Sequence, residues 1–146
     1  MYLKKINIKN FKAITNMEID FTEGVNLLIG DNGVGKSSIL EAIAVALFGM
    51  LKGIRGVPTK NILQDDIHFT IEEKGDASSA IRYWTPTEIA GTLEMQNESY
   101  HWRRYRLNED GKERTKMDDD GIVKWMQHIS NHPEDSLPLL CFQSDA

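Results

Sequence analysis

The sequence predicts an α/β fold in which a phosphate-binding loop joins a strand to a helix and the remainder is rich in antiparallel strands. Three observations lead to this prediction. The first is the pattern G-x-x-x-x-G-K-[ST] over residues 30–37. The second is its setting between the apolar run 25–29 and an apolar segment with helical character, 37–48. The third is a series of short alternating segments separated by turn residues, which is typical of strands with short connections.

Three strands are predicted before and at the loop. Residues 2–8 alternate between apolar and polar side chains, with Leu3 as the exception, and residues 17–21 alternate cleanly. Such alternation is typical of strands that bury one face. Because the connection between these two strands is short, we expect them to pair antiparallel. The apolar run 25–29, bounded by glycines, is the third predicted strand.

The loop itself carries the chemistry of a phosphate-binding site. Its glycines let successive backbone N–H groups converge on an anion without a clash of Cβ atoms. Lys36, the predicted catalytic residue, is expected to reach the β- and γ-phosphates of a nucleotide, and the Ser37 hydroxyl to ligate Mg²⁺. A glycine-rich turn that binds nothing is the alternative. The predicted cofactor-binding residues of the loop are Asn32, Gly33, Val34, Gly35, Lys36, Ser37 and Ser38.

Residues 37–48 are predicted to form a helix that ends near Gly49. Its N-terminus would direct free N–H groups and the positive end of the helix dipole at the phosphates. The segment is apolar nearly all round and Glu41 is its only charged residue, so we expect the helix to be buried. Residues 49–58, with three glycines and a proline, are typical of a loop.

The middle of the chain is predicted to be an antiparallel meander. Its strands are predicted at residues 67–71, 80–84 and 100–107, and its turns at residues 74–76 and 108–111. A helix is then expected from the acidic cap at residues 118–120 to about Asn131, ended by Pro133. Four apolar residues would form its buried face: Ile122, Trp125, Met126 and Ile129. The apolar run 137–142 is predicted to be a final buried strand.

Composition limits the class of protein. The chain has 146 residues, enough for one domain with a core, and its net charge of −5 gives no overall attraction to nucleic acid or anionic membranes. No apolar run approaches the roughly 20 residues of a membrane helix, and the first residues lack the apolar core of a signal peptide. The single cysteine, Cys141, excludes an internal disulfide and fits a cytoplasmic protein. Its apolar surroundings predict a buried, inert thiol.

Hydrolysis of ATP requires an acidic residue at the end of an apolar strand to hold Mg²⁺, and the sequence offers no clear one. Asp65 and Asp66 follow only two apolar residues and a glutamine, so a solvated turn or a cap is favoured over a metal-binding acid. Residues 118–121 match the D-x-x-G pattern of GTPases, but no apolar strand precedes them and no N-K-x-D motif follows. The chain is therefore interpreted as an incomplete domain that binds ATP and hydrolyses it poorly or not at all alone.

Residues 6–12, a strand that ends in N-F-K, together with residues 26–43 around the loop, resemble the N-terminal lobe of ABC-type ATPases of the RecF/SMC class. The resemblance implies a P-loop NTPase lobe with an antiparallel β-rich subdomain packed on the P-loop helix. It also implies that Lys12 lies near the nucleotide phosphates; a solvated lysine at a strand end is the alternative. The expected parts of this lobe are residues 1–48, 49–118 and 119–146, with the remainder of the domain missing.

From residue 49 onward the sequence is more loosely similar to AAA-family ATPases of bacterial anti-phage defence, of the Septu- or retron-associated kind. This resemblance implies that Gln143 is a Q-loop residue near Mg²⁺, with a solvated glutamine as the alternative. The signature loop, the Walker B carboxylates and the switch histidine of such ATPases are absent from the sequence.

The resemblance implies a mechanism in which two such domains sandwich two ATP molecules and separate after hydrolysis. The implied cofactors are ATP and Mg²⁺, and the implied partners are a second copy of the chain and a nuclease or other effector, with DNA as a further candidate and no membrane. A small-molecule kinase and a nucleotide-binding module without hydrolysis stay open as alternatives. Residues 101–106 mix aromatic and basic side chains, and an exposed strand paired with acidic neighbours is favoured there over nucleic-acid binding.

Overall fold

The structure is a computed structural model that describes residues 1–31, 33, 35–132, 134–135 and 140–142. Among these residues two strands precede the first helix and five strands lie between the first helix and the second, with the 3₁₀ turn Gln64–Asp66 before the third strand. The described elements are β1 (Tyr2–Phe11), β2 (Ile14–Asp20), α1 (Lys36–Gly49), β3 (Phe69–Glu73), β4 (Ser79–Tyr83), β5 (Thr87–Met95), β6 (Glu98–Arg106), β7 (Lys116–Asp119) and α2 (Ile122–Ser130).

Five of the strands form one antiparallel sheet in the order β2-β1-β5-β6-β7. The predicted pairing of the first two strands is confirmed, because β1 and β2 form an antiparallel hairpin in which Ile8 faces Met17. On its other side β1 pairs with β5, where Ile8 lies opposite Ile89. Ile6 and Ile8 are fully buried while Asn7 and Lys9 are exposed, so the sheet presents one apolar face.

Helix α1 lies on that apolar face and forms the core with it. Ala42, Val45 and Ala46 of the helix are fully buried in one cluster with the isoleucines of β1 and β5. A close approach at Gly91 makes room for Trp102, since a Cβ on Gly91 would lie 2.7 Å from the Trp102 ring. The predicted helix, its end at Gly49 and the packing of a β-rich region on it are therefore confirmed.

The two remaining strands form a separate hairpin. β3 and β4 pair with each other in antiparallel register, with Ile71 opposite Ile81. The base of this hairpin is attached to the end of β1, because the Trp84 N–H donates to the His68 carbonyl at 2.8 Å and the His68 N–H to the Asn10 carbonyl at 3.0 Å. The strands of the middle region thus fall into two sheets.

Helix α2 confirms the predicted helix after the acidic cap. Ile122, Met126 and Ile129 are buried in the core, and Trp125 is half-buried against it. The helix itself begins at Ile122, and the Asp119 carboxylate accepts the Val123 N–H at 3.2 Å. No helix among the described residues is long and apolar enough to cross a membrane.

The predicted strand at residues 25–29 is wrong. These residues lie outside any strand, and Val25, Leu27 and Ile29 are 96%, 78% and 85% exposed. A strand is stabilised by hydrogen bonds to a neighbouring strand, and no partner lies beside this run in the described part of the chain. An apolar composition is therefore not sufficient to form a strand here.

The end of the chain also differs from expectation. Cys141, predicted to be buried, is exposed. Residues 140–142 are described and form no strand, because they lie against the outer side of α1 rather than beside a strand of a sheet. The rest of the predicted final strand, Pro133 and Gln143 lie outside the described residues.

Candidate nucleotide-binding site

The phosphate-binding loop leads directly into α1, which begins at Lys36. Gly33 and Gly35 both have a φ of 91°, a left-handed conformation that residues with a Cβ rarely adopt. The Gly35 carbonyl accepts the Ile39 N–H at 2.9 Å, which is the first hydrogen bond of the helix. Two glycines of the loop therefore lie where the backbone conformation favours glycine. Asn32 and Val34, also predicted to bind the cofactor, lie outside the described residues.

The N-terminus of α1 has the properties of an anion-binding site. In the described part of the chain no side chain caps it, and its first turn carries no acidic residue. The first N–H groups of a helix lack partners within the helix, and the helix dipole places partial positive charge at this end. The pocket in front of it brings together most of the predicted loop residues. It is lined by Ala13, Gly33, Gly35, Lys36, Ser37 and Ser38.

Side chains at the start of α1 supply the remaining polar groups of the pocket. The Lys36 ammonium donates a hydrogen bond to the Gly30 carbonyl and so lies within the span of the loop. Ser37 is exposed to the pocket, whereas Ser38 is buried at 8% exposure. Ser37 is therefore the more accessible of the two serines, and its contact with a metal ion stays a prediction.

The turn between β1 and β2 forms the other wall of the pocket. Asn10 and Lys12 have positive φ values of 52° and 49°. Two hydrogen bonds at the start of β5 hold the turn in place. The Asn10 side chain donates to the Pro86 carbonyl at 3.0 Å, and the Thr87 hydroxyl donates to the Asn10 carbonyl at 2.9 Å. Ala13 follows in the pocket lining, so the N-F-K segment and the loop are spatial neighbours.

Lys12 lies in this turn and forms an ion pair with the P-loop helix. Its ammonium is 2.6 Å from a Glu41 carboxylate oxygen and 3.5 Å from a carboxylate oxygen of Asp66. Burial acts to lower the pKa of Lys12, but the hydrogen bonds and charges of the two carboxylates outweigh it and raise the pKa above 10.5. Lys12 is therefore a charged group beside the pocket, and its contact with a phosphate stays a prediction.

Asp66 acts as a cap, as the sequence favoured. It is 9% exposed, and one carboxylate oxygen accepts the Leu63 N–H at 2.8 Å at the start of the 3₁₀ turn. Its neighbour Asp65 is exposed. Among the described residues no group of three or more histidine, cysteine or acidic side chains could hold a metal ion. Gln143, the predicted Q-loop residue near Mg²⁺, lies outside the part of the chain that the structure describes.

Strand β6 alternates between a charged outer face and a buried inner face. Outside, Arg103 pairs with Glu88 at 3.0 Å and with Asp118 at 2.8 Å. His101 lies 3.0 Å from Asp120. The predicted pairing with acidic neighbours is therefore confirmed for His101 and Arg103, whereas Arg104 and Arg106 are buried and not exposed as predicted.

The inner face of β6 closes the C-terminal end of α1. The Trp102 indole N–H donates to the Ala46 carbonyl at 2.9 Å. The Arg104 guanidinium, 3% exposed, donates to the Val45 carbonyl at 3.0 Å, to the Asn61 side chain at 2.8 Å and to the Lys60 carbonyl. Burial lowers the pKa of Arg104 to about 10.

Glu41 was not among the predicted site residues, although the structure places it at the site through Lys12. It is the only charged residue of the helix after Lys36, and it follows Ser37 by four residues. Residues four apart share one face of a helix. A lone charge on the same helix face as the predicted metal ligand is the sequence signal that could have found it.

The sequence matches the model of the family described as AAA domain over residues 5–145. A curated relative, the DNA double-strand break repair Rad50 ATPase of Archaeoglobus fulgidus, is 54% identical over 48 residues, which are 33% of this chain and 5% of the relative. The Septu protein PtuA of Bacillus mycoides is 54% identical over 54 residues, which are 33% of this chain and 8% of the relative. The matched segments are thus a small part of these relatives.

A solved structure is similar to this fold with a TM-score of 0.55 and 22% sequence identity. The likeness covers 87% of this chain and 78% of the other. That structure was described in work on ATP-driven dimerization and DNA-stimulated activation of SMC ATPases. At this identity the likeness shows a shared fold.

Proposed function

Since the chain belongs to the AAA domain family, in the RecF/SMC-like class of ABC-type ATPases, we propose that it binds ATP with Mg²⁺ at residues 30–38. The observation that carries this proposal is the pocket at the open N-terminus of α1, where two left-handed glycines meet Lys36 and Ser37. Free N–H groups, a helix dipole and an ammonium in one pocket fit a chain of phosphates.

Each group in the pocket has a role in this proposal. The backbone N–H groups of Gly33, Gly35 and the first turn of α1 donate to phosphate oxygens, and Asn32 and Val34 are proposed to contribute to the same binding. Lys36 leaves the Gly30 carbonyl and binds the β- and γ-phosphates, while Ser37 holds Mg²⁺. The metal ion, when bound, neutralises phosphate charge.

The substitution Lys36→Ala tests nucleotide binding directly. At about 100 times its Kd, MgATP should stabilise the wild-type chain by roughly 2.7 kcal/mol, and K36A should lose most of that stabilisation while it unfolds normally without ligand. Thermal unfolding and calorimetric titration measure both quantities. K74A, which removes an exposed lysine from the β3–β4 turn, is the matched control and should behave as wild type. An unchanged stabilisation in K36A would contradict the assignment of Lys36 to the phosphates.

We further propose that the protein containing this chain hydrolyses ATP and dimerises through it. The chain spans 5% and 8% of the two curated relatives described above, so these activities concern the protein as a whole. A fold shared with an SMC ATPase studied for ATP-driven dimerization supports the proposal. In such an arrangement two domains enclose ATP between them, and hydrolysis releases the interface.

Gel filtration of the full-length protein with MgATP tests dimerisation. With a variant whose hydrolysis is blocked, ATP should shift the protein to a dimer, and K36A should stay at its mass without nucleotide. Measurement of inorganic phosphate separates the proposal from its alternatives, because a small-molecule kinase transfers phosphate to an acceptor and a non-hydrolysing module releases none. A mass that ATP never changes would contradict the dimerisation proposal.

We propose that ATP-dependent dimerisation serves either DNA maintenance or anti-phage defence, and the names of the two relatives support these two processes. In either setting the ATP-bound state would control a partner such as a nuclease or another effector, with DNA as a further ligand. Co-purification of the full-length protein with its partner, in the presence of ATP and with K36A as control, tests this coupling. Equal recovery of the partner with both proteins would contradict it.

A further inference from the structure

We infer that Glu41 acts on the nucleotide site through Lys12: before nucleotide binds, it pairs with the Lys12 ammonium, and it competes with nucleotide phosphate for that ammonium. When nucleotide binds, Lys12 exchanges the Glu41 carboxylate for a phosphate oxygen. This inference rests on the proposed binding of ATP at residues 30–38. It concerns how tightly nucleotide binds, which the loop alone does not determine.

Glu41 pairs with Lys12 on the helix face that carries Ser37. Glu41 lies four residues after Ser37, so the two side chains share one helix face about 6 Å apart along the helix axis. The Lys12 ammonium is 2.6 Å from a Glu41 carboxylate oxygen. Ala13, the next residue in the chain, lines the pocket together with Ser37. The ammonium is therefore held on the helix face that also carries Ser37, next to a residue of the pocket lining.

The backbone of Lys12 is held in place independently of Glu41. Its N–H donates to the Asp66 carbonyl at 2.7 Å, and its carbonyl lies 2.6 Å from the His68 ring nitrogen Nδ1. The position of the turn therefore survives the loss of the Glu41 charge. Such a loss would change what the ammonium binds and leave its backbone where it is.

The two carboxylates around Lys12 differ in how readily they can be exchanged. Asp66 has a side chain that is 13% exposed and is also bound to the Leu63 N–H, so it is committed to its place. Glu41 has a side chain that is 30% exposed, and Lys12 is its only polar partner among the described residues. A partly exposed carboxylate can rotate into the solvent when a phosphate takes its place beside the ammonium. Glu41 is therefore the exchangeable partner of Lys12.

The net charge of this cluster predicts the direction of the effect. Lys12, Glu41 and Asp66 together carry one positive and two negative charges, so the ammonium is already neutralised before an anion arrives. Nucleotide must displace Glu41 before it can use the charge of Lys12. Removing the charge of Glu41 should therefore tighten nucleotide binding, but only while Lys12 is present.

A double-mutant cycle between positions 41 and 12 tests the inference. With MgATP as the titrant, E41Q should lower Kd by about threefold to tenfold in the presence of Lys12. In the K12Q background E41Q should change Kd by less than about twofold, since only the long-range repulsion is removed there. K12Q alone should weaken binding, and K12R should restore both the affinity and the response to E41Q.

D65N is the matched control, because Asp65 is exposed and forms no ion pair with Lys12. It removes the same charge close to the cluster and should leave Kd within about twofold of wild type. Thermal unfolding without nucleotide verifies that each variant is folded. An equal effect of E41Q in both backgrounds, a weaker binding in E41Q, or an unchanged Kd in K12Q would overturn the role of Glu41. If wild type and K36A both failed to bind MgATP, the proposed function itself would be overturned.

Discussion

The two ends of α1 present opposite backbone groups, N–H groups at the start and carbonyls near the end, and the neighbouring elements meet only those near the end. At the C-terminal end, Trp102 and Arg104 from β6 donate to the carbonyls of Ala46 and Val45. At the N-terminal end, no side chain of the described residues accepts the free N–H groups. The difference lies in what the neighbouring elements supply, since β6 covers one end and the glycine loop leaves the other open.

This comparison distinguishes residues that stabilise the fold from residues that make the site. A buried cation at the negative end of the helix dipole is stabilising, and the open positive end is left for an anion. Changes at the closed end should therefore affect the free energy of unfolding and leave nucleotide affinity alone. Changes at the open end should do the reverse, with smaller effects on folding.

The largest expected effect is that of Trp102→Ala at the closed end. Removal of the indole from the core should lower the free energy of unfolding by about 3–5 kcal/mol, because the ring fills the space above Gly91 and its N–H satisfies Ala46. Urea denaturation measures the loss. W102F, which keeps most of the ring but lacks the donor, should cost about 1 kcal/mol. Equal losses in the two variants would show that packing contributes little here.

Arg104→Met should have the next largest effect. The substitution keeps an unbranched side chain beside Gly49 but removes the donors to three backbone and side-chain acceptors, with an expected cost of about 2 kcal/mol. R103M on the outer face of the same strand is the control and should cost less. A more stable R104M would mean that the cost of burying the guanidinium exceeds the value of its hydrogen bonds.

Gly35→Ala changes the loop at the open, N-terminal end of α1. An alanine at a φ of 91° is strained, so the free energy of unfolding should fall by about 1–2 kcal/mol, although a Cβ there meets only Ile14 at an ordinary 3.8 Å. The stabilisation by MgATP should also be lost, since the loop N–H groups are displaced. G111A, in open space and without positive φ, is the control and should unfold as wild type. Normal stability of G35A would show that the loop relaxes without cost.

The smallest expected effect concerns the pH dependence of Lys12. Its pKa is raised above 10.5 in the folded chain, so its ion pairs contribute fully below that pH and are lost as the pH rises through the folded pKa. The stability difference between wild type and K12Q should be constant from about pH 7 to 10 and decrease above it. The side chains of Lys12 and Glu41 are 31% and 30% exposed, which limits the contribution to below about 1 kcal/mol. A difference that grows with alkaline pH would contradict the pairing.

The loop and α1 could be predicted from the sequence because their signals are local. The motif requires a glycine at position 35, directly before the helix, and Gly35 has the left-handed φ that favours glycine, as does Gly33 at a variable position of the motif. An apolar segment of helical length ending at a glycine specifies α1, which ends at Gly49 as expected. Both features depend on residues that are close together in the chain.

Strands were predicted less well because they depend on distant partners. Residues 25–29 have the composition of a strand but no neighbour among the described residues, whereas β5 is a strand whose signal is hidden. The inward positions of β5 are Thr87, Ile89, Gly91 and Leu93, so two of its four buried residues are not apolar side chains. Gly91 is required by Trp102, eleven residues later in the chain, and no local pattern reports that contact.

Buried charge was the other feature that the sequence did not reveal. The sequence pattern predicts that Arg104 and Arg106 lie on an exposed strand, yet both are 3% exposed and donate to backbone carbonyls. Each arginine has an acceptor more than 40 positions away, the Val45 carbonyl for Arg104 and the Ile62 carbonyl for Arg106, and Arg106 also donates to the nearby carbonyls of Asn108 and Asp110. A buried arginine of this kind is recognised only when the chain that surrounds it is known.

The exposed segment 25–29 has a consequence for the handling of the chain. It is a short uncharged run with three large aliphatic side chains on its surface, and its backbone groups are not used by any described strand. Such a run is a template for intermolecular β-pairing and for aggregation as concentration rises. The residues that lead into the phosphate loop thereby also limit the concentration at which the chain stays dispersed.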